Sequence, residues 1–245
     1  MLRSNLSSFI CVAGNLGSGK TTFVRSLAKE NGWQIRPTTS YDTSYLDDIF
    51  RDSKRWSFEA QVAFLTHKAQ CIKDAVRNGI DFVVDRSIYE DIEIFAQIFA
   101  DTGTMDPRAH RTYLSCARLI LEEMPVPYMI IYCRCTPEEC EKRLAGRPRP
   151  YQQLYPEGHI ARLHEQYEEW VSRFTLCPLV VLDTHTWDTR NPTIMSRIIK
   201  DLSVFFSLSH AQKINSSERT INDGLIGNQM HLLQPLNSIH IEHPF

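Results

Sequence analysis

No stretch of the chain approaches the roughly 18 apolar residues that a membrane span requires, and its opening lacks a charged segment followed by a long apolar one. A membrane role is therefore not expected. Charge of one sign is equally scarce: 27 Lys and Arg against 29 Asp and Glu leave a net charge of −2 and a pI near 6.5. That balance gives no support to a protein that coats nucleic acid or an anionic surface, so any small anionic ligand must be met by local basic residues. The seven cysteines, Cys11, Cys71, Cys116, Cys133, Cys135, Cys140 and Cys177, contain no C-x-x-C pair, and several fall in apolar segments. They read as buried, reduced thiols in a cytoplasmic protein. No Pro-, Gly- or Ser-rich linker divides the chain before about residue 209. One domain over residues 1–209, followed by a polar tail over 210–245, is the expected organisation.

The apolar runs that are present recur at Phe9 to Ala13, Asp81 to Val84, Tyr128 to Cys133 and Leu179 to Leu182, with Trp33 to Ile35 as a weaker fifth. Helical periodicity fills the gaps over Lys20 to Glu30, Ser57 to Arg77, Pro107 to Glu123, Pro137 to Leu144, Ile160 to Phe174 and Pro192 to Phe206. Asp106, Thr136 and Asn191 each precede a proline and predict helix N-caps. Strands alternating with helices predict an α/β fold of three layers, a five-stranded parallel sheet with helices on both faces. Ligands of such sheets bind beyond the carboxyl ends of the strands.

One such end carries Gly14-Asn15-Leu16-Gly17-Ser18-Gly19-Lys20-Thr21-Thr22, a G-x-x-x-x-G-K-[ST] phosphate-binding loop between a strand and a helix. Its glycines let backbone N–H groups turn inward on phosphate oxygens, Lys20 adds a positive charge for the β- and γ-phosphates, and Thr21 offers a hydroxyl to Mg²⁺. ATP with Mg²⁺ is the expected cofactor. The third strand runs into Asp85-Arg86-Ser87-Ile88-Tyr89-Glu90-Asp91. Asp85 is suited to Mg²⁺ and Arg86 to an oxyanion, because its planar fork matches phosphate geometry. Arg143, Arg147 and Arg149 follow a predicted helix in R-x-x-x-R-x-R spacing and read as a basic lid over transferring phosphate. Asp183 closes the last predicted strand at the same edge.

Taken together these residues resemble the deoxyribonucleoside kinase family, especially the bacterial deoxyadenosine and deoxyguanosine kinases. The resemblance covers roughly residues 8 to 206 through the phosphate loop, Arg55-Trp56-Ser57-Phe58 leading to Gln61, the Asp85 to Asp91 segment, Arg147-Pro148-Arg149, Tyr167-Glu168-Glu169-Trp170 and Val180-Val181-Leu182-Asp183. It implies a P-loop NTPase-type fold. It also implies ATP phosphates held by the phosphate loop with Arg143, Arg147 and Arg149, Asp85 and Arg86 near the metal and the 5′-hydroxyl that is phosphorylated, and a nucleobase read by Gln61 and Asp91, with Lys68 at the position of a base-reading arginine. Homodimers that pair through the helix over Ser57 to Arg77 and part of that over Pro107 to Glu123 are implied as well.

The acceptor half departs from that family at three positions: Thr38 stands for the family's general-base glutamate, Phe50 for a sugar-binding tyrosine and Gly158 for a sugar-binding carboxylate. A threonine cannot accept a proton near neutral pH. Three functions fit. The first is a kinase for the 5′-hydroxyl of a purine deoxynucleoside, with Asp42 or Asp85 replacing the base. The second is a nucleoside monophosphate kinase, with Arg36 on the acceptor phosphate. The third is a non-catalytic nucleotide-binding subunit or regulator. In the tail, Leu225-Ile226, Leu232-Leu233 and Ile239 to Ile241 are candidates for docking on a partner chain. His210, His231, His240 and His243 lack a cysteine-supported metal spacing.

Overall fold

In the computed structural model, which describes residues 9–36, 44–146, 155–186, 191–200 and 202, the apolar runs become five strands. They are β1 (Phe9–Gly14), β2 (Gln34–Arg36), β3 (Phe82–Asp85), β4 (Met129–Arg134) and β5 (Leu179–Asp183). All pair in parallel in the order β2-β3-β1-β4-β5. β1 lies at the centre, and the register sets Val12 beside Asp85 and Gly14 beside Cys133. The carboxyl ends of β1, β3 and β4 therefore converge where the phosphate loop leaves β1.

Both faces of the sheet are covered, which is why its strands read as near-continuous apolar runs. Phe9, Cys11 and Ala13 point into one core with Phe82, Tyr132, Tyr167 and Trp170, while Ile10 and Val12 point into the other with Phe23, Leu27, Ile131 and Ile198. The first core is closed by α3 (Ser53–Arg77), α6 (Pro107–Glu122) and α8 (His159–Arg173), the second by α1 (Lys20–Asn31) and the helical residues 192–200. Asp106, Thr136 and Asn191 cap as expected: Asp106 Oδ1 accepts from the Arg108 N–H at 2.8 Å, Thr136 Oγ1 from the Glu139 N–H at 3.3 Å and Asn191 Oδ1 from the Thr193 N–H at 3.0 Å. Among the described residues no helix is long and apolar enough to cross a membrane.

Two helical regions are additions to the expectation. α2 (Ser44–Arg51) is too short for its period to stand out, and α3 begins four residues earlier than Ser57 because Asp52 caps it, accepting from the Arg55 N–H at 3.0 Å. Beyond β3 the chain is helical from α4 (Ile88–Glu90) through a π-turn over Asp91–Phe95 into α5 (Ala96–Asp101). The extra residue in the π-turn shifts the buried face, so Ile88, Ile92, Ile94 and Ile98 do not keep a 3.6-residue period. The weak strand also moves by one residue, from Trp33–Ile35 to Gln34–Arg36, since it is Gln34 that pairs with Phe82.

Candidate active site

The loop between β1 and α1 is shaped by backbone constraints that only glycine meets. Gly14 and Gly17 adopt φ of 146° and 77°, and a Cβ at Gly14 would stand 2.7 Å from the Cys133 carbonyl, one at Gly17 2.5 Å from the Cys140 carbonyl. Gly19 caps α1 in the left-handed region with no side-chain bond, and no acidic residue occupies the first helical turn. The first N–H groups of α1 are left to an anion. The Lys20 ammonium is buried and donates to the Asn15 carbonyl at 2.6 Å. Burial, and after it the Arg86 charge, lowers its pKa from 10.5 to about 8. The Asn15 side chain ties the loop to α8, donating to the Ile160 carbonyl at 2.9 Å. Thr22, at the third position of α1, completes the loop.

Opposite this loop, β3 delivers Asp85 and Arg86. Thr21 Oγ1 donates to Asp85 Oδ2 at 2.6 Å, so two hard oxygens from different elements share one point. That donor set suits Mg²⁺, which prefers carboxylate and hydroxyl oxygens. Arg86 is the only described non-glycine residue with positive φ, at 80°, a conformation that costs about 1–2 kcal/mol and is held by its N–H bond to the Val12 carbonyl at 2.9 Å. Its guanidinium donates to the Tyr167 hydroxyl at 2.6 Å and lies 3.6 Å from Glu90. Burial works against this charge, but Tyr167, Glu90, Asp85 and Asp91 outweigh it and raise the Arg86 pKa.

A wall of buried polar side chains on α3 borders the same segment. Lys68 pairs with Asp91 at the head of the π-turn and donates to the Ser87 carbonyl at 3.2 Å. Burial raises the Asp91 pKa, with Lys68 pulling the other way. Gln61, seven residues before Lys68 and so on the same helix face, is 3% exposed, and its Oε1 has no partner among the described residues. An unpaired buried amide oxygen is costly in the free protein and complementary to a donor brought by a ligand.

The structure thus brings Gly14, Asn15, Gly17, Ser18, Gly19, Lys20, Thr21, Asp85 and Arg86 to one strand edge, with Gln61, Lys68 and Asp91 on the wall beside it. Arg143, on α7 (Pro137–Ala145), is tied to Glu139 at 2.9 Å and to the Thr184 carbonyl at 2.8 Å. Asp183 stands at the end of β5 as expected, but its carboxylate is engaged by its own turn, accepting from the N–H groups of His185 and Thr186 at 2.9 and 3.2 Å. Arg147, Arg149, Thr38 and Asp42 lie outside the described residues, as does the whole tail. Phe50 packs against Tyr155, which stacks on His159 at 4.8 Å, and Gly158 serves as the N-cap of α8.

Two polar residues of this region escaped the sequence reading. Glu90 is fully buried, and the S-x-x-E spacing of Ser87 and Glu90, a capping box, was the visible signal for it. Thr184 bonds the Ser18 carbonyl at 2.7 Å and the Arg134 carbonyl at 2.9 Å, and no local pattern marks it.

Comparison with known proteins agrees with this geometry. A family profile described as deoxynucleoside kinase matches residues 10–219. A deoxyadenosine/deoxycytidine kinase from Bacillus subtilis (strain 168) is 35% identical over 187 residues, covering 76% of this chain and 86% of the relative. A deoxyguanosine kinase from the same organism is 27% identical over 168 residues, covering 67% and 78%. Among solved structures, a deoxyadenosine kinase from M. mycoides with bound dATP superposes with a TM-score of 0.70 at 25% identity, covering 80% of this chain and 99% of that one. With a phosphate loop, the Asp85-Arg86 pair and a family match spanning most of its length, the chain belongs to the deoxynucleoside kinase family.

Proposed function

We propose that the chain transfers the γ-phosphoryl group of ATP to the 5′-hydroxyl of a purine deoxynucleoside, with Mg²⁺. The observation that carries this reading is the 2.6 Å bond between Thr21 and Asp85, which sets the phosphate loop against the strand end bearing Arg86. Backbone N–H groups of the loop and Lys20 hold the donor phosphates. Thr21 and Asp85 would hold Mg²⁺, whose chemistry there would be to neutralise phosphate charge. Arg86 neutralises the charge that spreads over the transferring group, with Arg143, held on the Thr184 carbonyl, as a second cation. Arg147 and Arg149 are proposed as the lid. Gln61 and Asp91 read the nucleobase edge, with Lys68 fixing Asp91. The purine assignment is supported by the deoxyadenosine and deoxyguanosine in the names of the two Bacillus relatives, the first of which also names deoxycytidine.

Thr38 supplies no base, but a loose transition state makes little early demand on the acceptor proton, so alignment by Asp85 and Arg86 suffices. A second reading draws on Arg36 at the end of β2, whose buried Nε has no partner among the described residues: an acceptor monophosphate would supply one. Turnover of ATP with deoxyadenosine or deoxyguanosine separates the two. We expect it to proceed with the nucleosides and to fall about 100- to 1,000-fold in Asp85→Ala. Turnover with monophosphates alone would favour Arg36.

We also propose a homodimer through α3 and α6, the pairing that the family resemblance implies, in which Leu119, 66% exposed on α6, would be covered. Sedimentation should show a dimer that Leu119→Lys weakens; a monomer at all concentrations would refute it.

A further inference from the structure

We infer that Glu90 is a positioning residue that sets the Arg86 guanidinium against the phosphate loop, with the Tyr167 hydroxyl as the link; the inference rests on the phosphoryl-transfer reading above. Glu90 is fully buried, and its two oxygens serve three donors from three parts of the fold. Oε1 accepts from the Gly14 N–H at 3.2 Å and from the Tyr167 hydroxyl at 2.6 Å, and Oε2 accepts from the Ser87 N–H. A helix cap alone would need only the Ser87 bond and would tolerate an exposed side chain. Burying a carboxylate is costly unless its lone pairs are used, and the two additional bonds reach the first glycine of the phosphate loop and α8, 77 residues away.

The donor order is fixed by this arrangement. The Tyr167 proton goes to Glu90, which leaves the Tyr167 oxygen to accept from Arg86 at 2.6 Å. Glu90 therefore fixes Arg86 twice, at its tip through Tyr167 and at its backbone through Ser87, the residue that follows the strained φ of 80°. The Gly14 bond supplies the common reference, because the same carboxylate oxygen that holds Tyr167 also holds the entrance to the donor loop. An amide in place of the carboxylate has one acceptor and one donor end, so either Ser87 N–H or the pair Gly14 and Tyr167 must lose its partner. The charge opposite Arg86 is lost at the same time.

The test is a kinetic cycle on the full chain with ATP, Mg²⁺ and a deoxynucleoside. Glu90→Gln should lower kcat about 10- to 100-fold, with the KM for ATP and direct ATP binding changed by less than about threefold. In an Arg86→Ala background the same substitution should change kcat by less than about threefold, because its route of action is gone. Tyr167→Phe removes only the linking hydroxyl and should repeat the pattern at about tenfold, which keeps the test available if Glu90→Gln does not fold. Losses that multiply in the double variant, or that fall on ATP binding, overturn the inference while leaving the kinase reading intact. Absence of phosphoryl transfer by the unaltered chain overturns the kinase reading and this inference with it.

Discussion

The phosphate loop and the α3 wall both hold polar groups away from water, and they do so by opposite means. The loop is nine consecutive residues whose backbone N–H groups and one lysine form an anion site, with geometry set by glycines that reject a Cβ. The wall is assembled from side chains on α3 and the π-turn, and it is unevenly satisfied: Lys68 and Asp91 neutralise each other, whereas Gln61 keeps an unpaired oxygen. A site made from backbone survives drift in the surrounding sequence. A site made from side chains can be retuned residue by residue.

The largest effect expected from breaking this contrast is on stability. Lys68→Met strands the Asp91 carboxylate at a buried position and should cost about 3–5 kcal/mol in denaturant unfolding. A cost under about 1 kcal/mol would mean that the pair is reached by water and is no structural strut. Gln61→Leu, on the same face, should behave in the opposite way. It removes an unsatisfied acceptor, so stability should hold or rise, while kcat/KM for the nucleoside falls about tenfold or more. Destabilisation with unchanged kinetics would make Gln61 a structural residue.

The smallest effect belongs to the loop and is a matter of protons. With a pKa of about 8, Lys20 is half protonated in the free chain at pH 8, and bound phosphate should charge it fully. ATP binding at pH 8 is then expected to take up about half a proton, read by calorimetry in buffers of different ionisation enthalpy, and to weaken as pH rises further. In the free chain the sign runs the other way. Between about pH 8 and 10.5 the unfolded state carries more of this proton, so the contribution of Lys20 to stability rises across that window. Proton release on binding would contradict the burial of this ammonium.

What was legible in the sequence follows the same division. The loop, the five strands and three proline-marked caps are local patterns, and each stands within a residue of its expected place. Asp85 and Arg86 could be placed at a strand end because the apolar run stops at Val84. The wall was only partly legible. Gln61 and Lys68 are seven apart on a long helix, but nothing local says that Lys68 meets Asp91 or that a π-turn begins there. Glu90 was hidden for a related reason, since its partners Gly14 and Tyr167 are 76 and 77 residues away. The capping box named the residue without naming what it holds.

We propose one transfer to a nucleoside hydroxyl, served jointly by the donor loop and the strand end of Asp85 and Arg86. It is tested most directly by following labelled γ-phosphate from ATP-Mg²⁺ in a mixture of the four deoxynucleosides and their monophosphates, with products separated by mass. Label is expected in deoxyadenosine or deoxyguanosine 5′-monophosphate. Label confined to inorganic phosphate or to nucleoside diphosphates would contradict it.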